Sequence, residues 1–147
     1  MKTILNATDV RREWSKFIDD VKWVKPALIK RNRDIIAVLS IDLIEFILKE
    51  YRLTVDVRRE EDGTYTGIFK EIDLMANAAD MESLELELAR ELIEYSEEYI
   101  NEFGLYYNSP NRKNHFAYIY RTMLASDDIE KVKKLFSFNS KLKKKVI

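Results

Sequence analysis

Two clusters of basic side chains stand out in the first fifty residues. Arg11 and Arg12 lie near the predicted start of a helix, and Lys30, Arg31 and Arg33 surround a predicted turn. Positive charge in the first turn of a helix opposes the helix dipole, while free backbone N–H groups and arginines together suit a phosphate. The plainer interpretation of the turn is a solvated loop that blunts a sheet edge. Two separate clusters favour nucleic-acid binding.

Groups that carry enzyme chemistry are sparse. His115 is the single histidine and cysteine is absent, so a zinc site is not expected and His115 is predicted to be a packed or surface residue. The chain has no glycine-rich phosphate loop and no nucleophile elbow. Asp56, Asp73 and Asp80 lie on or near predicted strands and leave a metal-dependent nuclease open as an alternative. Our prediction is a protein with no catalytic residue, no metal and no cofactor.

Charge is segregated along the chain although the net charge is only -1. Residues 1–50 carry a net +2, residues 51–104 carry 15 acidic against 5 basic residues, and residues 105–147 carry 10 basic against 3 acidic residues. The absence of cysteine fits a reducing compartment, and no apolar run has the length of a signal peptide or a membrane span. We therefore expect a cytoplasmic protein that does not bind membranes.

The first fifty residues predict a β-α-β-β-α unit. A short strand is followed by an amphipathic helix over about 8–24 that Asn6 or Thr8 caps, and Pro26 ends this helix. Strands over 27–30 and 35–40 flank a tight turn in which Asn32 suits positive φ.

A second helix is predicted over about 41–50, and it is apolar nearly all round. Such a helix needs cover on more than one side, which a unit of this size cannot supply alone. We therefore expect a homodimer or higher homo-oligomer, with Ile44, Phe46 and Ile47 in the dimer interface.

The rest of the chain predicts an α+β unit with a helical end. Alternating strands meet at a hairpin turn over 60–63, a possible third strand covers 72–78, and Asp80 caps a long helix over about 81–103 that Gly104 ends. Helices are expected over about 114–124 and 127–137. We thus expect an α+β fold in three parts: residues 1–51, a small antiparallel sheet with a long helix over 52–104, and a basic helical extension over 105–147.

The extension mixes aromatic and cationic groups, as protein interfaces do. The residues that we expect to bind a protein partner are Tyr106, Tyr107, Arg112 and Lys113.

The first fifty residues resemble the prevent-host-death (Phd/YefM) antitoxins. The resemblance lies in Thr3 to Arg11, in Leu28 to Asp34 and in Ala37 to Ser40. It implies a homodimer that binds operator DNA and represses its own operon, with DNA contacts from Arg11 and from the basic turn. Asn32 stands where the family usually has glycine, and Arg12 stands where the family has a small or polar residue.

The middle segment looks like the core of the HicB antitoxins, from Leu53 to Val57 and from Asp62 to Tyr65. That resemblance implies a degraded nuclease-like fold that binds a cognate toxin protein without catalysis. Taken together, the sequence predicts an antitoxin that represses its own transcription and neutralises a toxin with its C-terminal part. The alternative is a protein-interaction module that does not bind DNA.

Overall fold

The computed structural model describes residues 4–139, which fall into two compact units that divide between Ile47 and Leu48. Both units combine helices with a mixed sheet, so the chain is an α+β protein, as predicted.

The first unit has a three-stranded sheet in the order β1-β2-β3. Strand β1 (Ile4–Asn6) runs parallel to β2 (Ala27–Arg31), and β2 forms an antiparallel hairpin with β3 (Asp34–Val38). Two helices, α1 (Ala7–Arg12) and α2 (Trp14–Trp23), separate β1 from β2, and α3 (Ile41–Leu48) follows β3. The predicted β-α-β-β-α order is therefore present.

One face of this sheet is covered by helices. Val10 of α1 and Phe17 and Val21 of α2 form a small buried cluster, which packs against Ala27, Ile29 and Val38. Since side chains alternate along a strand, Leu28 and Ile35 point to the opposite face. Their side chains are 38% and 53% exposed, so that face is open in the single chain.

The predicted single helix over 8–24 is wrong in one respect, because it is broken at Glu13. Glu13 has φ -116° and ψ 45°, outside the helical region, and it ends α1 and begins α2. The predicted cap is confirmed at Asn6, whose side-chain oxygen accepts a 2.8 Å hydrogen bond from the backbone N–H of Thr8.

The second unit has a four-stranded sheet in the order β6-β5-β4-β7. Strands β4 (Leu53–Arg59), β5 (Tyr65–Phe69) and β6 (Met75–Ala78) are antiparallel, as predicted. The expectation of a purely antiparallel sheet is wrong, because β7 (Phe136–Phe138) adds a parallel edge beside β4. Gly63 has φ 87° in the hairpin turn between β4 and β5, which an L side chain rarely adopts.

The long helix α4 (Met81–Asn101) lies on this sheet. Its predicted cap is confirmed, because the Asp80 carboxylate accepts a 2.7 Å hydrogen bond from the backbone N–H of Ser83. The side chains on one face of the helix are buried, and they include Leu84, Leu88, Leu92, Tyr95 and Tyr99. The predicted end at Gly104 is wrong, since α4 ends at Asn101 and Gly104 lies inside α5 (Phe103–Tyr107).

The C-terminal elements pack into the second unit. A 3-10 turn (Lys113–His115) leads into α6 (Phe116–Ala125), and α7 (Ile129–Lys133) precedes β7. The predicted helix over 127–137 is wrong, because it ends at Lys133 and the chain becomes extended at Phe136. The side chains of Val132 and Phe136 join the core of the sheet, so this segment is not a purely helical extension. The lysine-rich end of the sequence, from Lys141 to Lys145, lies outside the described residues.

Candidate functional sites

The start of helix α1 and the basic turn of the first unit lie at the same end of its sheet. The parallel register pairs Asn6 at the end of β1 with Lys30 near the end of β2. Helix α1 begins at Ala7, directly after Asn6, so its start lies beside the end of β2 that carries the basic turn. Register alone therefore brings the start of α1 and the turn of the hairpin to the same end.

The hairpin turn has the geometry that the sequence predicts. The last pair of the register is Arg31 with Asp34, which leaves Asn32 and Arg33 as a two-residue loop. Asn32 has φ 55°, so its predicted positive φ is confirmed. Side chains alternate along β2, so Lys30 and Arg31 lie on opposite faces of the sheet. The cations therefore surround the turn instead of lying on one face.

All five predicted DNA-contacting side chains, Arg11, Arg12, Lys30, Arg31 and Arg33, belong to exposed residues. Of these five side chains, Arg12 alone has a carboxylate within 4.0 Å in residues 4–139, at 3.9 Å from Asp9. The expectation that Arg11 and Arg12 oppose a helix dipole is wrong for α1, because they lie in its last turn, where cations are favourable. They are placed there because α1 is only six residues long.

The residues predicted for the dimer interface lie on α3. Phe46 and Ile47 are 64% and 58% exposed, and Ile44 is half-buried. Within this helix only Leu48 is buried. Together with the open sheet face, the first unit thus has more apolar surface than the chain alone covers. Surfaces of that kind mark sites of protein association.

A polar cleft of about 370 Å³ lies in the second unit. Its walls come from the loop between β5 and β6, from α4, from α5 and from the turn that precedes α6. The polar residues that line it are Asp73, Tyr95, Glu98, Tyr106, Asn111, Arg112 and His115.

Three of these residues form a hydrogen-bonded chain. A guanidinium N–H of Arg112 donates to the hydroxyl oxygen of Tyr95 at 3.2 Å, and that hydroxyl lies 2.7 Å from Nδ1 of His115. Among the described residues Nδ1 is the one acceptor that lies within hydrogen-bond distance of this hydroxyl, so we assign the hydroxyl proton to the bond with Nδ1. With this assignment, neutral His115 carries its own proton on Nε2.

Burial fixes the charge state of this chain. His115 is 7% exposed, and burial lowers its pKa, although the Asp73 carboxylate acts in the opposite direction. Burial likewise raises the pKa of the Tyr95 hydroxyl, which the Arg112 guanidinium partly offsets. Both side chains are therefore neutral near pH 7, and Arg112 is the cation of the group.

The residues predicted to bind a protein partner lie around this cleft in part. Tyr106 and Arg112 line it, and the Arg112 guanidinium lies 5.0 Å from the centre of the Tyr106 ring. Lys113 instead lies over the Tyr107 ring at 4.9 Å. Tyr95 and Glu98 were not predicted from the sequence as site residues, and Asp73 was considered only as a ligand of a nuclease metal. Tyr95 belongs to the apolar stripe of α4, so its spacing predicts a core residue and gives no indication that its hydroxyl lines a cleft.

The carboxylates of the nuclease alternative are not brought together. Asp56 accepts a 3.0 Å hydrogen bond from the side chain of Asn139, and Asp80 caps α4. Within residues 4–139 no group of three or more histidine, cysteine, aspartate or glutamate side chains is arranged to hold a metal ion. Across the same stretch no helix is long and apolar enough to cross a membrane.

The chain has two small α+β units. The first has an exposed basic turn, and the second has a polar cleft beside an acidic helix. These features are typical of a protein that binds other macromolecules. The chain belongs to the PHD-like family of antitoxins of toxin–antitoxin systems of the RelE/RelB type, whose family model matches residues 1–137. The chain is thus an antitoxin, which is a non-enzymatic protein with a cognate toxin as its partner. The family assignment predicted from the first fifty residues is confirmed, and the match extends through both units.

A solved structure is similar over nearly the whole length. It is the crystal structure of the antitoxin part of a proposed toxin/antitoxin system from Syntrophomonas wolfei subsp. wolfei. The two chains are 34% identical, with a TM-score of 0.85, and the match covers 95% of this chain and 99% of that one. No match is found among the curated proteins. The HicB resemblance of the middle segment stays a prediction.

Proposed function

We propose that this antitoxin binds operator DNA as a homodimer through its first unit and represses its own transcription, while its second unit binds and neutralises the toxin. The observation that carries the DNA-binding part is the pairing of Asn6 with Lys30, which supports one basic end on each first unit. The side chains proposed to contact DNA are exposed, and in residues 4–139 none of these four has a carboxylate within ion-pair distance: Arg11, Lys30, Arg31 and Arg33. Cations without an internal partner are available for phosphates.

A dimer would present this basic end twice. Two copies related by a two-fold axis fit the two half-sites of a palindromic operator. The apolar residues of α3 support the dimer, because Phe46 and Ile47 expose more than half of their side chains in the single chain. DNA binding also agrees with the cytoplasmic location that the sequence predicts.

The test is a salt series of binding isotherms on the DNA upstream of the antitoxin's own gene. The double variant Arg31→Ala, Arg33→Ala removes four charges from a dimer. Since each phosphate contact contributes about 0.9 to the slope of log K against log salt, the slope should fall by roughly 3 to 4. The melting temperature should change little, because exposed turn charges contribute little to stability.

Lys22→Ala, Lys25→Ala is the matched control. It removes the same charge from exposed residues of the same unit, close to Ala27 at the opposite end of β2. The control should keep most of the salt dependence of the unaltered protein. Equal slopes for the two double variants would reject the assignment of the basic turn to DNA. Failure of the unaltered protein to bind its upstream DNA would favour the alternative, a module that binds only proteins.

A further inference from the structure

The polar cleft of the second unit has more negative charge than its own cations neutralise. Asp73 and Glu98 line it and are exposed. In the stretch 4–139 neither carboxylate has a lysine or arginine nitrogen within 4.0 Å. Neither carboxylate is neutralised by a cation at ion-pair distance, and the neutral Tyr106 hydroxyl beside Glu98 leaves the negative charge of that carboxylate in place.

The cation of the cleft, Arg112, is held by the aromatic residues of the cleft wall. The Arg112 guanidinium donates to the hydroxyl of Tyr95, and it lies 5.6 Å and 5.0 Å from the ring centres of Tyr95 and Tyr106. These contacts hold the guanidinium on the aromatic wall. With His115 neutral, the three charged groups Asp73, Glu98 and Arg112 leave the cleft with a net negative charge.

An unpaired donor on a side chain that lines the same cleft is an independent sign of a ligand. His115 is 7% exposed, and with Nδ1 assigned as the acceptor from Tyr95 its proton is on Nε2. Nε2 has no hydrogen-bond partner in the described part of the chain. Since no buried side-chain nitrogen or oxygen there is without a partner, Nε2 keeps some exposed surface, and its ring lines the cleft. An unpaired donor on an otherwise buried ring has room for an acceptor from outside.

We propose that this cleft receives an arginine or lysine side chain of the cognate toxin, bound by the carboxylates of Asp73 and Glu98, while a neighbouring backbone carbonyl of the toxin accepts from Nε2 of His115. The cleft volume of about 370 Å³ is in the range of ligand pockets and accommodates one long side chain. This inference rests on the proposed function of the second unit as the toxin-binding part.

The surrounding charge agrees with a basic partner. Residues 51–104 carry 15 acidic against 5 basic residues, and Glu94 and Glu97 are exposed on α4. A field of this sign attracts a basic protein surface and repels nucleic acid. In addition to this long-range attraction, the cleft removes one cation of the partner from water. Charged pairs that are desolvated in this way contribute most to affinity.

The experiment compares two double variants that change net charge equally. Asp73→Asn, Glu98→Gln neutralises the cleft, and asparagine retains the positive φ of 58° at residue 73. Glu94→Gln, Glu97→Gln neutralises two exposed carboxylates on the same helix that do not line the cleft. The binding partner is the protein encoded by the gene next to the antitoxin's own, titrated calorimetrically against the full chain at physiological salt, with thermal melts as the check of folding.

The cleft variant should lose affinity by about 30-fold or more, and the control by no more than about threefold. Equal losses would mean that only long-range charge matters, which overturns the proposal. Unchanged binding by the cleft variant also overturns it, and tighter binding would point to an acidic group of the partner at Arg112. If the unaltered chain does not bind the neighbouring protein at all, the proposed toxin-binding function itself fails, and that result differs from all the others.

Discussion

Leu53 and Phe136 are paired in parallel register across β4 and β7, and both side chains are almost fully buried. The Phe136 ring also meets the Phe69 ring edge to face, with centres 5.2 Å apart. This pairing joins the last described strand of the chain to the first strand of the second unit. Strand β7 is therefore part of the fold that carries the cleft.

The first prediction concerns this pairing. Replacement Phe136→Ala leaves a cavity beside Leu53 and Phe69, so the free energy of unfolding should fall by about 3–5 kcal/mol. Urea denaturation followed by circular dichroism measures the change. Ser137→Ala is the control, because residue 137 lies on the same strand and is exposed. If both variants unfold at the same urea concentration, β7 does not belong to the core.

The second prediction compares two glycines. A Cβ atom at Gly67 would lie 3.0 Å from side-chain atoms of both Leu88 and Val55. Gly67→Ala should therefore cost about 1–3 kcal/mol by overpacking. Nothing lies within 4 Å of a Cβ at Gly104, which is inside α5, so Gly104→Ala should be neutral or slightly stabilising. Thermal melts that rank the two variants in the reverse order would contradict the packing of α4 on β5.

Much of the second unit could be predicted from sequence, because its signals are local. The stripe from Leu84 to Tyr99 follows helical spacing, and Asp80 stands at the capping position of α4. Strand β7 could not be predicted in this way. Phe136 and Phe138 give only one period of alternation, and the parallel partner strand lies far away in the sequence.

The two candidate sites differ in the same respect. The basic turn of the first unit is a local feature, since Lys30 to Arg33 lie together in any tight hairpin. The cleft depends on four loops or helices that meet only in the folded chain, and Asp73, Glu98 and His115 are widely spaced in sequence. The sequence shows that His115 is the single histidine, but its hydrogen bond to Tyr95 can be recognised only in the folded structure.

The third prediction tests that bond. Tyr95→Phe removes the hydroxyl and leaves Nδ1 of His115 buried without its partner. Such a loss should lower the free energy of unfolding by about 1–3 kcal/mol. Tyr120→Phe is the matched control, because Tyr120 is half-buried on α6 and its hydroxyl makes no hydrogen bond in the described structure. Equal stability of the two variants in urea would show that the Tyr95 hydroxyl is not engaged.

The fourth prediction is a pH dependence. Burial lowers the pKa of His115 below its ordinary value of 6.5, so below that pH the unfolded chain binds more protons than the folded chain. With respect to His115, the free energy of unfolding is therefore highest above about pH 6.5. It decreases as the pH falls from there towards the lower pKa of the folded state. Because the chain has one histidine, its imidazole NMR signal reports this pKa directly. A midpoint at or above 6.5 in the folded protein would contradict the burial.

The last prediction concerns the proposed dimer. Phe46 and Ile47 are largely exposed in the single chain, so a second copy that packs on α3 would bury them. Phe46→Asp or Ile47→Asp would then place an unpaired carboxylate in an apolar interface, at a cost of several kcal/mol. We expect monomers or aggregates by light scattering, together with weaker operator binding. Ser15→Asp is the control, because it adds the same charge at an exposed position of α2 and should leave the dimer intact. Variants of α3 that remain dimeric would move the interface to another apolar surface, such as the open sheet face that carries Leu28 and Ile35.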